Sequence, residues 1–482
     1  MLLTLTAYYY QMEILHISAE CYPVAKAGGL GDVVGALPKY QNQMGHTARV
    51  VMPMYRTKFL NENEWDVDFK GHHYLGQRYF DYTIIKERTG KLGFDLYLVD
   101  IYGLLDREKI YGYDDDIERF VAFQIAVTDW LNHWAYKPDI VHCHDHQAGL
   151  VPFMMKYCYD FNYSLGAVKT VLTIHNAQYQ GWIGWDKSYY VPYYDSWKHG
   201  MLDWKNNINS LASGIKCCDK VTTVSPSYLE ELRYAANGLE NLFEFEKGKC
   251  VGILNGIDTE VWNPETDTYI TDQYSLAKVT GGKEANKKEL CDQFNLDATL
   301  PLIVFIGRLV GEKAADILPD SILASIYSTQ KKVCFLIIGS GEPEIEWRLN
   351  NLTSEFPGNY NALIGYNEKL SHQMYAGADF LLMPSRVEPC GLNQMYAMRY
   401  GTMPMVRSTG GLRDTVIDMG DEGGYGIRFI HASVGDIIHS VTRAVAAFSK
   451  PDTINQMRKR MMQIDNSWDN SAQKYIDVYE SL

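Results

Sequence analysis

The sequence predicts two α/β domains, each built on a largely parallel sheet. Three observations predict it. At 482 residues the chain is too long for one ordinary core. Strand-length apolar runs alternate with helix-length amphipathic segments along most of its length. A polar, charged stretch near residues 255–300 interrupts that alternation. The runs are EILHIS (13–18), ARVVMP (48–53), FDLYLVD (94–100), DIVHCHD (139–145), KTVLTIH (169–175) and KVTTVS (220–225), then PLIVFIG (301–307), KVCFLIIG (332–339), DFLLMP (379–384) and MPMVR (403–407). Most are continuously apolar rather than alternating, which suits strands buried on both faces. Segments such as 31–45 and 315–330 supply crossover helices. The domains are placed at 12–255 and 265–460. The amphipathic segment 461–482, with cap-type residues in SWDNSAQ, is expected to pack back on the first domain.

Composition narrows the function classes. Hydrophobic residues make up 46% and charged residues 22%, as in a soluble packed protein. The net charge is −14 and there is no basic run, which argues against a nucleic-acid partner. No stretch reaches the ~20 apolar residues of a membrane span, so no membrane partner is expected. Nine scattered cysteines without a CxxC pair point to a reducing, cytoplasmic compartment. MLLTLTAYYYQ is read as an extension before the first strand pattern at Met12, because it lacks a basic n-region and a cleavage site.

In open α/β sheets ligands bind beyond the carboxyl ends of strands, so the residues after each run carry the functional reading. Lys26, Gly28, Gly29, Gly31 and Asp32 (KAGGLGDV) follow the first strand and open a helix. Free N–H groups, the helix dipole and a lysine there suit a phosphate; a glycine-rich turn with a solvated lysine is the alternative. It is neither a dinucleotide fingerprint nor a Walker A motif. His142, His144, Asp145 and His146 cluster after the next strand. Alternating ligands from one strand end leave a metal shell incomplete, so no metal is assigned, and Asp145 is read as a sugar or histidine partner. His175 and Asn176 close the following strand. Arg308 and Lys313 sit after the strand at 301–307, where they could neutralise a diphosphate. Glu388 appears at the turn PSRVEPCGL, placed to accept sugar hydroxyls, and Thr409, Gly410, Gly411 and Leu412 form a second small-residue turn into a helix.

Taken together, KAGGLGDV, HCHDHQAGL, TIHNAQYQG, NGIDTEVWNP, FIGRLVGEK and PSRVEPCGLNQMYAMRYGTMPMVRSTGGLRDTV resemble the bacterial and plant glycogen/starch synthases, in family order over nearly the whole chain. The resemblance implies a GT-B fold: two Rossmann-like domains with a deep interdomain cleft, the first on the acceptor side and the second holding the donor. It implies that Lys26, Gly28 and Gly29 lie near the donor diphosphate and that Asp145 and His175 line the glucose site with Asn176 and Asn255 close by. Arg308 and Lys313 would neutralise the leaving diphosphate, with the N–H groups from Thr409 to Leu412. Glu388 would hold glucose hydroxyls. Cys390, Gly391 and Leu392 would contact the donor, Tyr366 would stack on its base, and Tyr113 would touch the sugar. The sequence departs from the family at His146-Gln147, where Trp-His is common, at Ala314 for Gly, and at Val387 for Phe.

The implied reaction is transfer of glucose from ADP-glucose to the end of an α-1,4-glucan with retention of configuration. UDP-glucose is the alternative donor, and no cofactor is implied. A glucan-binding scaffold of the same fold is the rival reading from another class. The absence of GxGxxG after the first strand argues against a dehydrogenase.

Overall fold

The computed structural model describes residues 10–482; all but the last two residues of the N-terminal extension lie outside them. The chain forms two compact units. Among the described residues, unit 1 comprises 10–224, Leu229–Ile253 and Trp468–Leu482; unit 2 comprises Ser225–Tyr228 and Leu254–Ser467.

Unit 1 is built on a nine-stranded sheet. Its order is Cys250–Gly252, Lys220–Thr223, Lys169–Ile174, Ile140–His144, Glu13–Ile17, Thr47–Pro53, Asp95–Asp100, Arg78–Glu87, Trp65–Leu75. The first seven run parallel and the last two add antiparallel. The order runs outward on both sides from Glu13–Ile17, so the switch point lies between that strand and Ile140–His144, where an open sheet leaves a crevice. The central strands are buried on both faces, as their apolar runs require. The hairpin Trp65–Glu87 escaped the sequence reading. Its first strand is mostly exposed and polar, so it carries no apolar run. Helix Asp116–Asn132 is buried from Arg119 through Leu131. Arg119 is tolerated there because it donates to the carbonyls of Leu104 (3.0 Å) and Ile110 (3.1 Å) and pairs with Asp116. The C-terminal helix Trp468–Glu480 covers helix Gly29–Gln43: Trp468, Ala472, Tyr475, Ile476 and Tyr479 join Val33, Leu37 and Tyr40 in one core.

Unit 2 has a six-stranded parallel sheet ordered Tyr360–Ile364, Cys334–Gly339, Leu302–Ile306, Phe380–Met383, Met403–Arg407, Ile427–Phe429. In chain order that is third, second, first, fourth, fifth, sixth, the Rossmann order, with its switch point between Leu302–Ile306 and Phe380–Met383. The stretch read from sequence as a polar seam contains helix Val279–Phe294. Its apolar face is disguised by polar residues that are nonetheless buried. Lys283 donates to the carbonyls of Tyr375, Ala376 and Tyr400 and to Thr402 Oγ1 (2.7–3.2 Å). Asn286 donates to Asp272 and Gly282. Lys287 pairs with Asp379 at 2.6 Å. Trp262, from NGIDTEVWNP, is sandwiched between His372 and Tyr396, each at a ring separation of 3.9 Å; that motif therefore also pins unit 2's core. Among the described residues no helix is long and apolar enough to cross a membrane.

Candidate active site

In unit 1 the candidate residues gather at the carboxyl ends of Glu13–Ile17, Ile140–His144 and Lys169–Ile174, beside the switch point. Asp145 has a left-handed backbone, φ +55°, a strained conformation for a non-glycine residue of a kind that concentrates at functional sites. Its carboxyl accepts the N–H of His175 at 2.7 Å, and the backbone N–H of Asn176 also bonds it. The aspartate thus ties two strand ends into one wall. Burial raises its pKa to about 7. His175 meets His144 at 3.0 Å, and burial lowers its pKa to about 3, so it is neutral at physiological pH.

Lys26 pairs with Asp32 at 2.6 Å and remains partly exposed. The N–H groups expected to face a phosphate are occupied in part. Ala27 and Gly28 donate to the carboxylate of Glu20, at 2.6 and 3.0 Å. Glu20 was not singled out from sequence, yet it lies three residues past the strand end and is buried. Tyr111 donates to its other oxygen at 2.7 Å. Tyr111 thus reaches this loop; Tyr113 accepts from the Lys109 N–H at 3.1 Å and carries the guanidinium of Arg119 over its ring at 4.7 Å. A Cβ built on Gly28 or Gly29 would meet no heavy atom within 4 Å.

The departures from the family pattern at His146 and Gln147 fall in a short 3-10 turn. His146 Nδ1 and Gln147 Oε1 are buried without a hydrogen-bond partner. His16, His142 and His144 place ring nitrogens within 4.8 Å of one another. Every one of their six ring nitrogens is already hydrogen-bonded, so the cluster is an imidazole chain rather than a preformed ligand set.

In unit 2 the matching residues flank its own switch point. Lys313 Nζ straddles Glu388, 2.8 Å from each carboxylate oxygen, and Ser385 Oγ donates to Oε2 at 2.8 Å. Lys313 and Glu388, read separately from sequence as phosphate and sugar contacts, thus form one half-buried pair. The loops carrying them are stapled by the Arg386 N–H to the Glu312 carbonyl, at 2.8 Å; Val387 follows in the same loop. Arg308 is more exposed, with Glu312 at 3.5 Å. Ala314 adopts φ +54° where glycine would be unstrained, at a cost of roughly 1 kcal/mol. Asn255 is buried with Oδ1 unpartnered, while its N–H bonds the Cys390 thiol, whose pKa burial raises to about 12. Tyr366 is 81% exposed.

The second small-residue turn packs closely against the loop that carries Glu388. Gly411 N–H lies 3.2 Å from the carbonyls of Glu388 and Pro389, Thr409 N–H donates to Arg407, and Leu412 N–H to Thr409. The glycines are needed for this close approach: a Cβ on Gly410 would sit 2.1 Å from the Glu388 carbonyl oxygen, and one on Gly411 2.1 Å from that of Cys390. A phosphate at this turn has to compete with those carbonyls. Gly391 (φ +75°) and Leu392 lead into helix Asn393–Arg399 beside it.

The buried imidazoles give unit 1 a testable acid response. Burial lowers His16 to about 4, His146 to about 4 and His175 to about 3, and lowers His142 and His144 well below the ordinary value. A base whose folded pKa is depressed contributes stability above its unfolded value of ~6.5 that is lost as pH falls, at about 1.4 kcal/mol per pH unit per group. Asp145, raised to about 7, runs the opposite way between ~3.9 and 7. The imidazoles outnumber it, so unit 1 is expected to lose stability steeply from pH 6.5 to 4. Hydrogen exchange of the strands Glu13–Ile17 and Ile140–His144 at pH 7 and pH 5, corrected for intrinsic exchange, checks this. Asp145→Asn is expected to steepen the loss by removing the opposing group.

Comparison with known proteins bears on both units. Residues 13–245 match the starch synthase catalytic domain model, and residues 300–446 the model for group 1 glycosyl transferases. The chain is 54% identical over 471 residues to a glycogen synthase of Flavobacterium johnsoniae, covering 98% of this chain and 99% of that one. It is 38% identical over 480 residues to a glycogen synthase of Bacillus cereus, covering 98% and 100%. Its structure superposes on the catalytic domain of starch synthase IV from Arabidopsis thaliana, solved bound to ADP and acarbose, with a TM-score of 0.86, 31% identity and coverage of 98% and 99%. Full-length similarity at this level, with the matched motifs at the carboxyl ends of both sheets, shows that the chain belongs to the glycogen synthase family of GT-B glycosyltransferases.

Proposed function

We propose that this glycosyltransferase extends an α-1,4-glucan from ADP-glucose, with retention at the anomeric carbon, and that the residues described above carry the reaction. The Lys313–Glu388–Ser385 cluster is the observation that supports this most directly. Lys313 has three N–H donors and spends two on Glu388, leaving one for a phosphate oxygen. With the more exposed Arg308 it supplies the positive charge that a departing diphosphate requires. Glu388 is held by Lys313 and Ser385 with acceptor capacity left for sugar hydroxyls. In unit 1, Asp145 and neutral His175 serve as polar contacts to the glucose, and Lys26 stands at a turn whose glycines have open space over them. As the C–O bond stretches, positive charge grows on the sugar. The acceptor hydroxyl attacks from the face the phosphate leaves, and the phosphate oxygen takes its proton. No carboxylate in the set is placed as a convincing covalent nucleophile. Tyr366, Asn255, Cys390, Gly391, Leu392 and Thr409–Gly411 are assigned to the donor, with Tyr366 exposed to stack on a base. The starch synthase of similar structure was solved with ADP, which favours the adenine donor. The reading also places the enzyme in the cytoplasm, where that donor would be met.

Release of nucleoside diphosphate from ADP-glucose and from UDP-glucose, each with and without glycogen, tests this. Primer-dependent ADP release well above UDP release is expected. Faster release from UDP-glucose would overturn the donor assignment. No release from either, with glucan still bound, would favour the scaffold reading.

A further inference from the structure

Unit 1 contains a continuous buried hydrogen-bond chain that runs from His175 to the C-terminal helix. His175 Nε2 lies 3.0 Å from His144 Nδ1, and His144 Nε2 lies 3.0 Å from His16 Nδ1. His16 Nε2 lies 2.8 Å from Gln41 Oε1, and Gln41 Nε2 donates to the Tyr479 hydroxyl at 3.1 Å. That hydroxyl is 2.7 Å from His142 Nδ1, whose Nε2 is 2.6 Å from Thr173 Oγ1. His16, His142, His144 and Gln41 are fully buried.

A neutral imidazole has one N–H and one lone pair. Burial holds all four imidazoles of the chain in that form. Each ring or hydroxyl can serve the chain in either direction. Gln41 cannot, because one end of its amide only accepts and the other only donates. With Oε1 toward His16, the protons are determined in sequence. His16 donates from Nε2 and accepts at Nδ1. His144 then donates from Nε2 and accepts at Nδ1. His175 must donate from Nε2, which leaves its Nδ1 without a proton. On the other side, Tyr479 accepts from Gln41 and donates to His142. Turning the amide over would reverse every proton and make His175 Nδ1 a donor.

We propose that Gln41, braced by Tyr479, is a positioning residue that fixes the tautomer of His175 and presents its Nδ1 as a bare acceptor for a substrate hydroxyl. Gln41 touches no substrate and acts through two intervening rings. The proposal rests on the reading of His175 as a sugar contact, but the tautomer itself is measurable without it.

The test is two-bond ¹H–¹⁵N correlation on the full chain labelled with ¹⁵N-histidine, the His175 signals being assigned by their loss in His175→Ala. In the wild type His175 is expected to carry its proton on Nε2. Gln41→Glu keeps an acceptor toward His16 and is expected to keep that tautomer and the activity. Gln41→Leu and Tyr479→Phe remove the lock. They are expected to give mixed tautomers and a kcat lower by about tenfold, the lower end of what losing a partner of a functional histidine costs at metal sites, with the KM for glycogen within about twofold. A wild-type proton on Nδ1 overturns the proposal even if the variants fail to fold. So does an unchanged tautomer with unchanged kcat in Gln41→Leu. Full activity in His175→Ala would instead overturn the sugar-contact reading while leaving the tautomer assignment in place.

Discussion

Replacing Lys313 by alanine is expected to lower primer-dependent release of nucleoside diphosphate by about 10²–10³-fold, the usual cost of removing one donor aimed at charge that develops in the transition state. The loss should appear in kcat, with glucan binding retained, because the charge it answers grows only as the C–O bond breaks. A second effect has to be separated from the first. Lys313 is the cation of a half-buried pair, and its removal leaves Glu388 accepting only from Ser385. An uncompensated buried carboxylate destabilises the fold. The double variant Lys313→Ala/Glu388→Gln removes both charges. It is expected to recover most of the stability and none of the turnover. Recovery of turnover in the double variant would show that Lys313 serves only to offset the Glu388 charge and that the carboxylate itself is dispensable.

The largest stability effect is expected far from the chemistry, at Asp379. This aspartate ends the polar disguise of unit 2's core. Its Oδ2 accepts from Lys287 at 2.6 Å and from the Leu302 N–H at 2.9 Å, and its Oδ1 accepts from Arg458 at 2.7 Å. All three side chains are nearly inaccessible, at 9% exposure or less. Asp379→Ala strands two cations and one strand N–H. Breaking a buried pair from one side costs about 3–5 kcal/mol, and losing the acceptor for Leu302 adds about 1–3 kcal/mol. Urea unfolding should show an earlier transition, and hydrogen exchange should place the loss in the strands of unit 2. Asp379→Asn keeps an acceptor and should lose less. A change under about 1 kcal/mol in the alanine variant would mean that the cations find water on their own.

The parallel strands were legible because burial on both faces demands continuous apolar runs, and Val, Ile, Leu and Phe in those runs carry that demand openly. What stayed hidden was burial achieved by hydrogen bonding. Helix Val279–Phe294 reads as a polar linker because Lys283, Asn286 and Lys287 are paired inside the core. The hairpin Trp65–Glu87 is mostly exposed on its outer strand and has no run to read. The same distinction applies to the site. Candidate residues such as Lys313, Glu388, Asp145 and His175 could be named from sequence because they follow strand ends. Ser385 and Gln41 could not, since nothing in their spacing announces that Ser385 orients Glu388 or that Gln41 faces His16. Glu20 did carry a usable signal, an acidic residue three places beyond a central strand. At the second glycine turn the glycines also serve close backbone packing: the carbonyls of Glu388 and Cys390 occupy the space beside Gly410 and Gly411.

The discontinuity of unit 1 has a consequence for biosynthesis. A ribosome delivers the strands and helix Gly29–Gln43 first, then all of Leu254–Ser467, and only then the helix Trp468–Glu480 that covers them. At about 5–20 residues per second, roughly 10–40 s pass between the two events. Throughout that interval Val33, Leu37 and Tyr40 lack the part of their core that Trp468, Ala472, Tyr475, Ile476 and Tyr479 supply, and Gln41 and His142 lack the Tyr479 hydroxyl. The nascent chain therefore carries an open apolar seam while the second unit is being made. Nascent unit 1 should be a client for chaperones that shield such surfaces, and a helix made after the second unit completes the part of the protein that was made before it.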